Sequence, residues 1–228
     1  MHAKLARLVF GGACFICRGA ARATLCESCD ADLPRLQQPI CPRCALESPS
    51  GAICGRCLAQ PPHYDATIAA LAYAFPADAL VHALKFRGEL ALAPLLGNLL
   101  RERVSSPGAD CVIPVPLSRQ RLRERGYNQA VEIARHLGAV RLEIDACERE
   151  RDAPPQAGLD REARRRNVRG AFRCRRSFAG ERVALVDDVM TTGATLDELA
   201  RALKEAGAAS VVNWVVCRTA AESGSPHV

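Results

Sequence analysis

A chain of 228 residues with 49% hydrophobic and 25% charged side chains can bury one sizeable α/β domain plus a small appendage, and its balance is ordinary for a globular protein. The formal net charge of +6 suits anionic ligands such as phosphates or nucleic acid without choosing among them. Neither "MHAKLARLVF" (1–10) nor "LALAPLLGNLL" (90–100) has the sustained apolar length of an export or membrane signal, so a cytoplasmic protein without membrane insertion is expected.

Eight of the twelve cysteines open the chain as four CxxC knuckles: Cys14/Cys17, Cys26/Cys29, Cys41/Cys44 and Cys54/Cys57. Two residues between thiolates let both sulfurs reach one tetrahedral ion. Four knuckles therefore supply two structural zinc sites of four thiolates each. Sequential pairing is the simplest arrangement, and an interleaved one, first with third and second with fourth, is also open. A reducing compartment disfavours a disulfide scaffold, and a redox dithiol does not explain four copies. A segment this poor in large apolar side chains needs metal for its folding energy. With every position filled by cysteine, no ligand site is left for catalysis. The composition changes near "AQPPHYD" (59–65), which gives domains of 1–60 and 61–228.

The second domain reads as alternating strands and helices. "ATIAALAYAF" (66–75) is expected as strand, and 77–103 as helix interrupted at Gly88 and Pro94. "DCVIPVP" (110–116) is a buried strand ended by prolines. "NQAVEIARHLG" (128–138) reads as a helix stopped by Gly138, with a further strand within 141–148. "RVALVDD" (182–188) carries four consecutive apolar residues, as a central parallel strand does. The helix after it places Leu196, Leu199, Ala200 and Leu203 on one face and stops at Gly207, before the strand "SVVNWVVC" (210–217). The alternation predicts a doubly wound, mostly parallel α/β sheet. Cys111, Cys147, Cys174 and Cys217 are expected as small core residues.

Chemistry concentrates at three places. In "LVDDVMTTGATL" (185–196), Asp187 and Asp188 end the strand, and Thr191, Thr192, Gly193, Ala194 and Thr195 form a turn that opens a helix. Backbone N–H groups and the helix dipole at such a turn favour a phosphate. Adjacent carboxylates suit a vicinal diol or a Mg²⁺-bound sugar. No GxxxxGK[ST] or GxGxxG is present. In "VIPVPLSRQRLRERGYNQA" (112–130), Arg119, Arg121, Arg123 and Arg125 crowd the loop after a strand, and guanidinium forks match a diphosphate. The stretch 149–176 holds ten basic and four acidic residues. Pro154, Pro155 and Gly158 suggest a mobile start. A resemblance to type I phosphoribosyltransferases would make this stretch a loop closing over the sugar, and the plainer reading is a basic helix touching nucleic acid through Arg164, Arg165 and Arg166.

Those three elements, with "CFIC", "LCESCDADLP", "CPRCA", "CGRCL" and "LKFRGE", resemble the ComF family over residues 14–196. That resemblance implies an N-terminal double zinc ribbon joined to a type I phosphoribosyltransferase fold. It implies phosphoribosyl diphosphate (PRPP) or a related sugar phosphate with Mg²⁺, the ribose on Asp187 and Asp188, and the 5′-phosphate on residues 191–195. Pyrophosphate then falls to the loop of Pro116, Leu117, Ser118, Arg119 and Arg125. The family's association with DNA uptake in natural transformation implies single-stranded DNA and DNA-uptake helicase machinery as partners. Type I enzymes for 6-oxopurines carry an aspartate where this chain has Thr191, which argues against hypoxanthine or guanine as acceptor. No catalytic residue is assigned. Lys85 and Arg87 are candidates for the acceptor side, against the plainer reading of a surface pair on a helix. A working transferase and a nucleic-acid-handling factor regulated by PRPP are the two functional readings.

Overall fold

A computed structural model of the chain describes residues 12–104, 108–138, 140–150 and 168–220. Its centre is a five-stranded, all-parallel sheet in the order β3 (Ala66–Ala72), β9 (Ser210–Arg218), β8 (Arg182–Met190), β4 (Cys111–Pro114) and β5 (Arg141–Leu142). The run Val183–Val186 lies in the middle strand with every residue buried, as its unbroken apolar character requires of a strand covered on both faces. Side chains alternate with the pleat. Ala184 and Val186 join one core, and Val183 and Leu185 the other.

The first core holds α3 (Ala77–Phe86), α4 (Ala93–Arg103) and α6 (Gln129–Ala134). The second holds α7 (Ala194–Glu205) and a separate antiparallel pair, β6 (Cys147–Arg149) with β7 (Phe172–Cys174). Between α3 and α4 the chain turns through Gly88 at φ +70° and a short 3₁₀ segment, Leu90–Leu92, as the Gly and Pro interruptions predict. The helix expected over 128–138 ends early, at Ala134. There the turn presses on α4. A methyl group at Gly97 would stand 2.6 Å from His136 Cβ and 2.8 Å from the Ile133 carbonyl oxygen. Gly97→Ala should therefore destabilise the protein by about 1–3 kcal/mol through overpacking, read as a lower denaturant midpoint.

In the cysteine-rich head, β1 (Gly12–Ala13) pairs with β2 (Ala20–Ala21), and two five-residue helices follow, α1 (Glu27–Ala31) and α2 (Gly55–Ala59). Its chain runs along the free side of β3. Leu36 N–H donates to the Ala70 carbonyl, Ala72 N–H to Pro34 and Thr67 N–H to Pro42. The two tetrads separate onto the two cores: Cys14 and Cys29 pack into the first, and Cys41, Cys44 and Cys57 into the second. Of the four remaining cysteines, Cys111 and Cys217 are fully buried, while Cys147 and Cys174 face each other across β6–β7 with sulfurs 3.5 Å apart. Among the described residues no helix is long and apolar enough to cross a membrane.

Candidate phosphate cleft and metal centres

Each tetrad collects consecutive knuckles, Cys14/Cys17/Cys26/Cys29 and Cys41/Cys44/Cys54/Cys57, with all ligand sulfurs within 4.8 Å of one another. Pairing is thus sequential and not interleaved. A tetrahedral ion with Zn–S near 2.3 Å sets its sulfurs about 3.8 Å apart. The Cys17–Cys26 and Cys44–Cys54 separations, both 3.7 Å, fit that spacing. The Cys44 thiol is held down to about 4, first by its hydrogen bond with Cys57, so it is poised as a thiolate. A third cluster, Cys111 with Glu143 and Glu181, is no metal site. Arg176 and Arg141 already bridge its carboxylates.

At the C-terminal end of the sheet a cleft of about 350 Å³ opens. It is lined by Asp187, Asp188, Thr191 and Thr195 from the β8–α7 connection, and by Pro116, Leu117, Arg121 and Arg125 from the connection after β4. Ligands of parallel sheets bind at this end. Asp188 is 2% exposed, and Lys85 Nζ lies 3.0 Å from its Oδ2. Burial opposes ionisation of Asp188, yet the Lys85 ammonium and hydrogen bonds hold its carboxyl below the ordinary value. Asp187 is pushed well above that value, first by burial and then by the Asp188 charge beside it. The two carboxyl pKa values are therefore pushed apart, as close like charges require. Burial lowers the Lys85 pKa, and the two aspartates outweigh it and raise it above its ordinary value. Lys85 is thus a partly buried counter-ion and not half of a surface pair.

The turn is shaped by its sequence. Gly193 has φ +81°, with Met190 Cε 2.7 Å and Tyr64 Oη 3.1 Å from where a Cβ would be, so only glycine fits. Thr192 Oγ1 accepts from Ala194 N–H at 3.3 Å. Across the cleft the predicted loop is largely a helix, α5 (Arg119–Arg125), capped by Ser118 Oγ accepting from Arg121 N–H. The i, i+4 spacing turns Arg121 and Arg125 to the cleft, while Arg119 and Arg123 are exposed outside its lining. Asn128 Nδ2 donates to the Val115 carbonyl and Tyr127 Oη to that of Leu84, fixing this connection to the sheet and to α3.

Among the lining residues that sequence reasoning did not single out are Tyr73, His82, Phe86 and Arg149. His82, Lys85 and Phe86 share one face of α3, and that i, i+3, i+4 spacing beside "LKFRGE" was the available signal. Arg125 stacks over Phe86 at 5.3 Å, and Arg149 over Phe172 at 5.5 Å. Arg164, Arg165 and Arg166, with the rest of 151–167, lie outside the described residues.

Residues 5–58 match the family described as a double zinc ribbon domain, and 122–227 that of a phosphoribosyl transferase domain. The DNA utilization protein YhgH of Escherichia coli O6:H1 is 33% identical over 226 residues, covering 93% of this chain and 99% of that protein. Competence protein F of Haemophilus influenzae is 32% identical over 227 residues, covering 92% and 98%. The chain belongs to the ComF family. A third relative, competence protein ComFC of Bacillus subtilis, is 28% identical over 86% of this chain and 84% of its own. The ComF architecture of a double zinc ribbon ahead of a type I phosphoribosyltransferase fold accounts for both the tetrads and the parallel sheet.

Proposed function

We propose that this ComF protein binds PRPP with Mg²⁺ in the cleft at the sheet's C-terminal end and acts in DNA uptake. The domains we assign are 1–60 and 61–228. One observation carries the binding reading: the paired acids, Thr191 and Thr195 at the two ends of the turn, and four cations (Lys85, Arg121, Arg125 and Arg149) line the same cleft. PRPP carries a diol, a 5′-phosphate and a diphosphate, and each has a chemically matched partner there. Asp187 and Asp188 take the ribose hydroxyls, residues 191–195 the 5′-phosphate, and Arg121 and Arg125 the diphosphate, with Pro116, Leu117 and Ser118 shaping the loop. Bound Mg²⁺ neutralises diphosphate charge. In a transfer reaction pyrophosphate leaves C1 as positive charge develops on the sugar, and this chain's part is to orient the two and stabilise the departing anion. DNA uptake rests on the names of the competence relatives.

A second reading, a single-stranded-DNA-handling factor for which PRPP is regulatory, is favoured by the cleft's rim. Phe86, which lines the cleft, is 64% exposed with Arg125 over its ring, as stacking platforms for unpaired bases are. Calorimetry should show Mg²⁺-dependent PRPP binding that weakens about 10-fold in Asp187→Asn, the cost of about one hydrogen bond to the ribose. Pyrophosphate release with candidate bases and amines then separates the readings. Background release with every acceptor, alongside intact binding, leaves the regulatory one.

A further inference from the structure

The second tetrad and the phosphate turn share one buried guanidinium. Arg218 ends β9 and is 2% exposed. Its Nε donates to the carbonyl of Cys44, a ligand of the second tetrad, at 2.7 Å. Its Nη1 donates to the Met190 carbonyl at 2.8 Å and to the Thr191 carbonyl, the two residues that lead into the turn. The same CPRC knuckle is fastened twice more. Thr67 N–H donates to the Pro42 carbonyl at 3.0 Å, and Thr67 Oγ1 to that of Arg43 at 2.6 Å.

Contacts from the ribbon's last knuckle and the segment just after it meet the turn as well. Tyr64, in the second core with Cys41, Cys44 and Cys57, abuts Gly193. His63 donates its backbone N–H to Asp197 Oδ1 at 2.7 Å, in the first turn of α7. Arg56, between the last two ligands, lines a small crevice with Thr192, Gly193 and Ala194. The first tetrad lies on the other face of the sheet, among the side chains of α3 and α4. The two metal sites are therefore not equivalent.

We propose that the second zinc site positions the phosphate turn, with Arg218 as the link. Metal fixes the Cys44 backbone, the Cys44 carbonyl orients Arg218, and Arg218 holds the carbonyls of Met190 and Thr191. The turn's N–H groups are thereby preset for a phosphate. This rests on the reading that the turn binds PRPP. Linkage makes the effect reciprocal: a phosphate ligand that needs the ordered turn must also tighten the second zinc, and not the first.

The test uses the full zinc-loaded chain. Zinc release to a chromogenic chelator is followed with and without saturating Mg²⁺–PRPP, and PRPP binding is measured separately by calorimetry. One zinc of the two should leave at least about fivefold more slowly with PRPP, and the other at an unchanged rate. Cys17→Ser, which removes an exposed ligand of the first tetrad, should abolish the unaffected phase. Arg218→Lys keeps the charge but loses the fork that spans two partners. It should retain two zinc ions, bind PRPP about tenfold more weakly and lose the selective protection. If PRPP binds and slows both phases alike, or neither, the coupling is wrong while the binding reading stands. Selective protection that survives in Arg218→Lys removes Arg218 as the link. Absence of PRPP binding to the wild-type chain overturns the binding reading and the coupling together.

Discussion

Chelation of zinc from the reduced protein is expected to unfold the N-terminal head and to lower the melting temperature of the remainder. Among the described residues of the head, regular structure amounts to two two-residue strands and two five-residue helices. Between Gly12 and Gln60 the buried aliphatic side chains larger than alanine are Leu25, Leu33 and Ile40. That is far too little apolar area to offset the entropy of ordering some fifty residues at about 1–2 kcal/mol each. Structural zinc supplies about 10–16 kcal/mol of apparent binding energy per site in small modules, so its removal takes away a large part of the head's folding energy. The remainder suffers too, because Cys14 and Cys29 pack in one core and Cys41, Cys44 and Cys57 in the other. Metal analysis should give about two zinc per chain before treatment. Limited proteolysis afterwards should cut within 12–60 first. Acidification acts in the same direction, since protons compete with the metal for the thiolates. Unchanged melting after quantitative zinc removal would falsify the structural role.

The second large effect concerns Lys85 and Asp188, 103 positions apart in sequence and joined at 3.0 Å. Removing one member of a buried pair strands the other charge. Lys85→Met and Asp188→Asn should each cost roughly 3 kcal/mol in urea denaturation, toward the low end of the range because the Lys85 side chain keeps 27% of its exposure. In Lys85→Met, Asp188 can instead take a proton, so its loss of stability should shrink as pH falls through the raised carboxyl pKa. The double variant should lose less than the sum of the two singles, by about 1–3 kcal/mol, as direct contact requires. PRPP affinity should not recover with it, because the carboxylate is still gone. A strictly additive double variant refutes the pairing.

The parts of this architecture that were legible in the sequence are those encoded locally. Val183–Val186 reads as the middle strand because no polar residue interrupts it, and Asp187 to Thr195 reads as a site because acids, glycine and hydroxyls fall at one strand–helix joint. CxxC spacing reports metal by itself. Residues brought together by folding were not legible. Sequence makes sequential tetrads the simplest choice but leaves interleaved ones open, and the fold brings consecutive knuckles together. Nothing local marks Lys85 as the partner of Asp188, or Arg218 as more than a charged end to an apolar strand. Cys147 and Cys174 meet through a strand pairing that bridges 27 positions. The overlong helix at 128–138 failed because periodicity takes no account of the close approach at Gly97.

The seam along β3 has a consequence of another kind. A parallel sheet ends in a strand with unpaired amides and carbonyls, and "ATIAALA" is seven residues without a charge or proline to discourage pairing with another molecule. Here the metal-built head occupies that margin, through Pro34, Leu36 and Pro42. Loss of zinc should therefore bare that strand and let chains associate. A metal-starved preparation should be recognised by its clumping before any lost affinity is noticed.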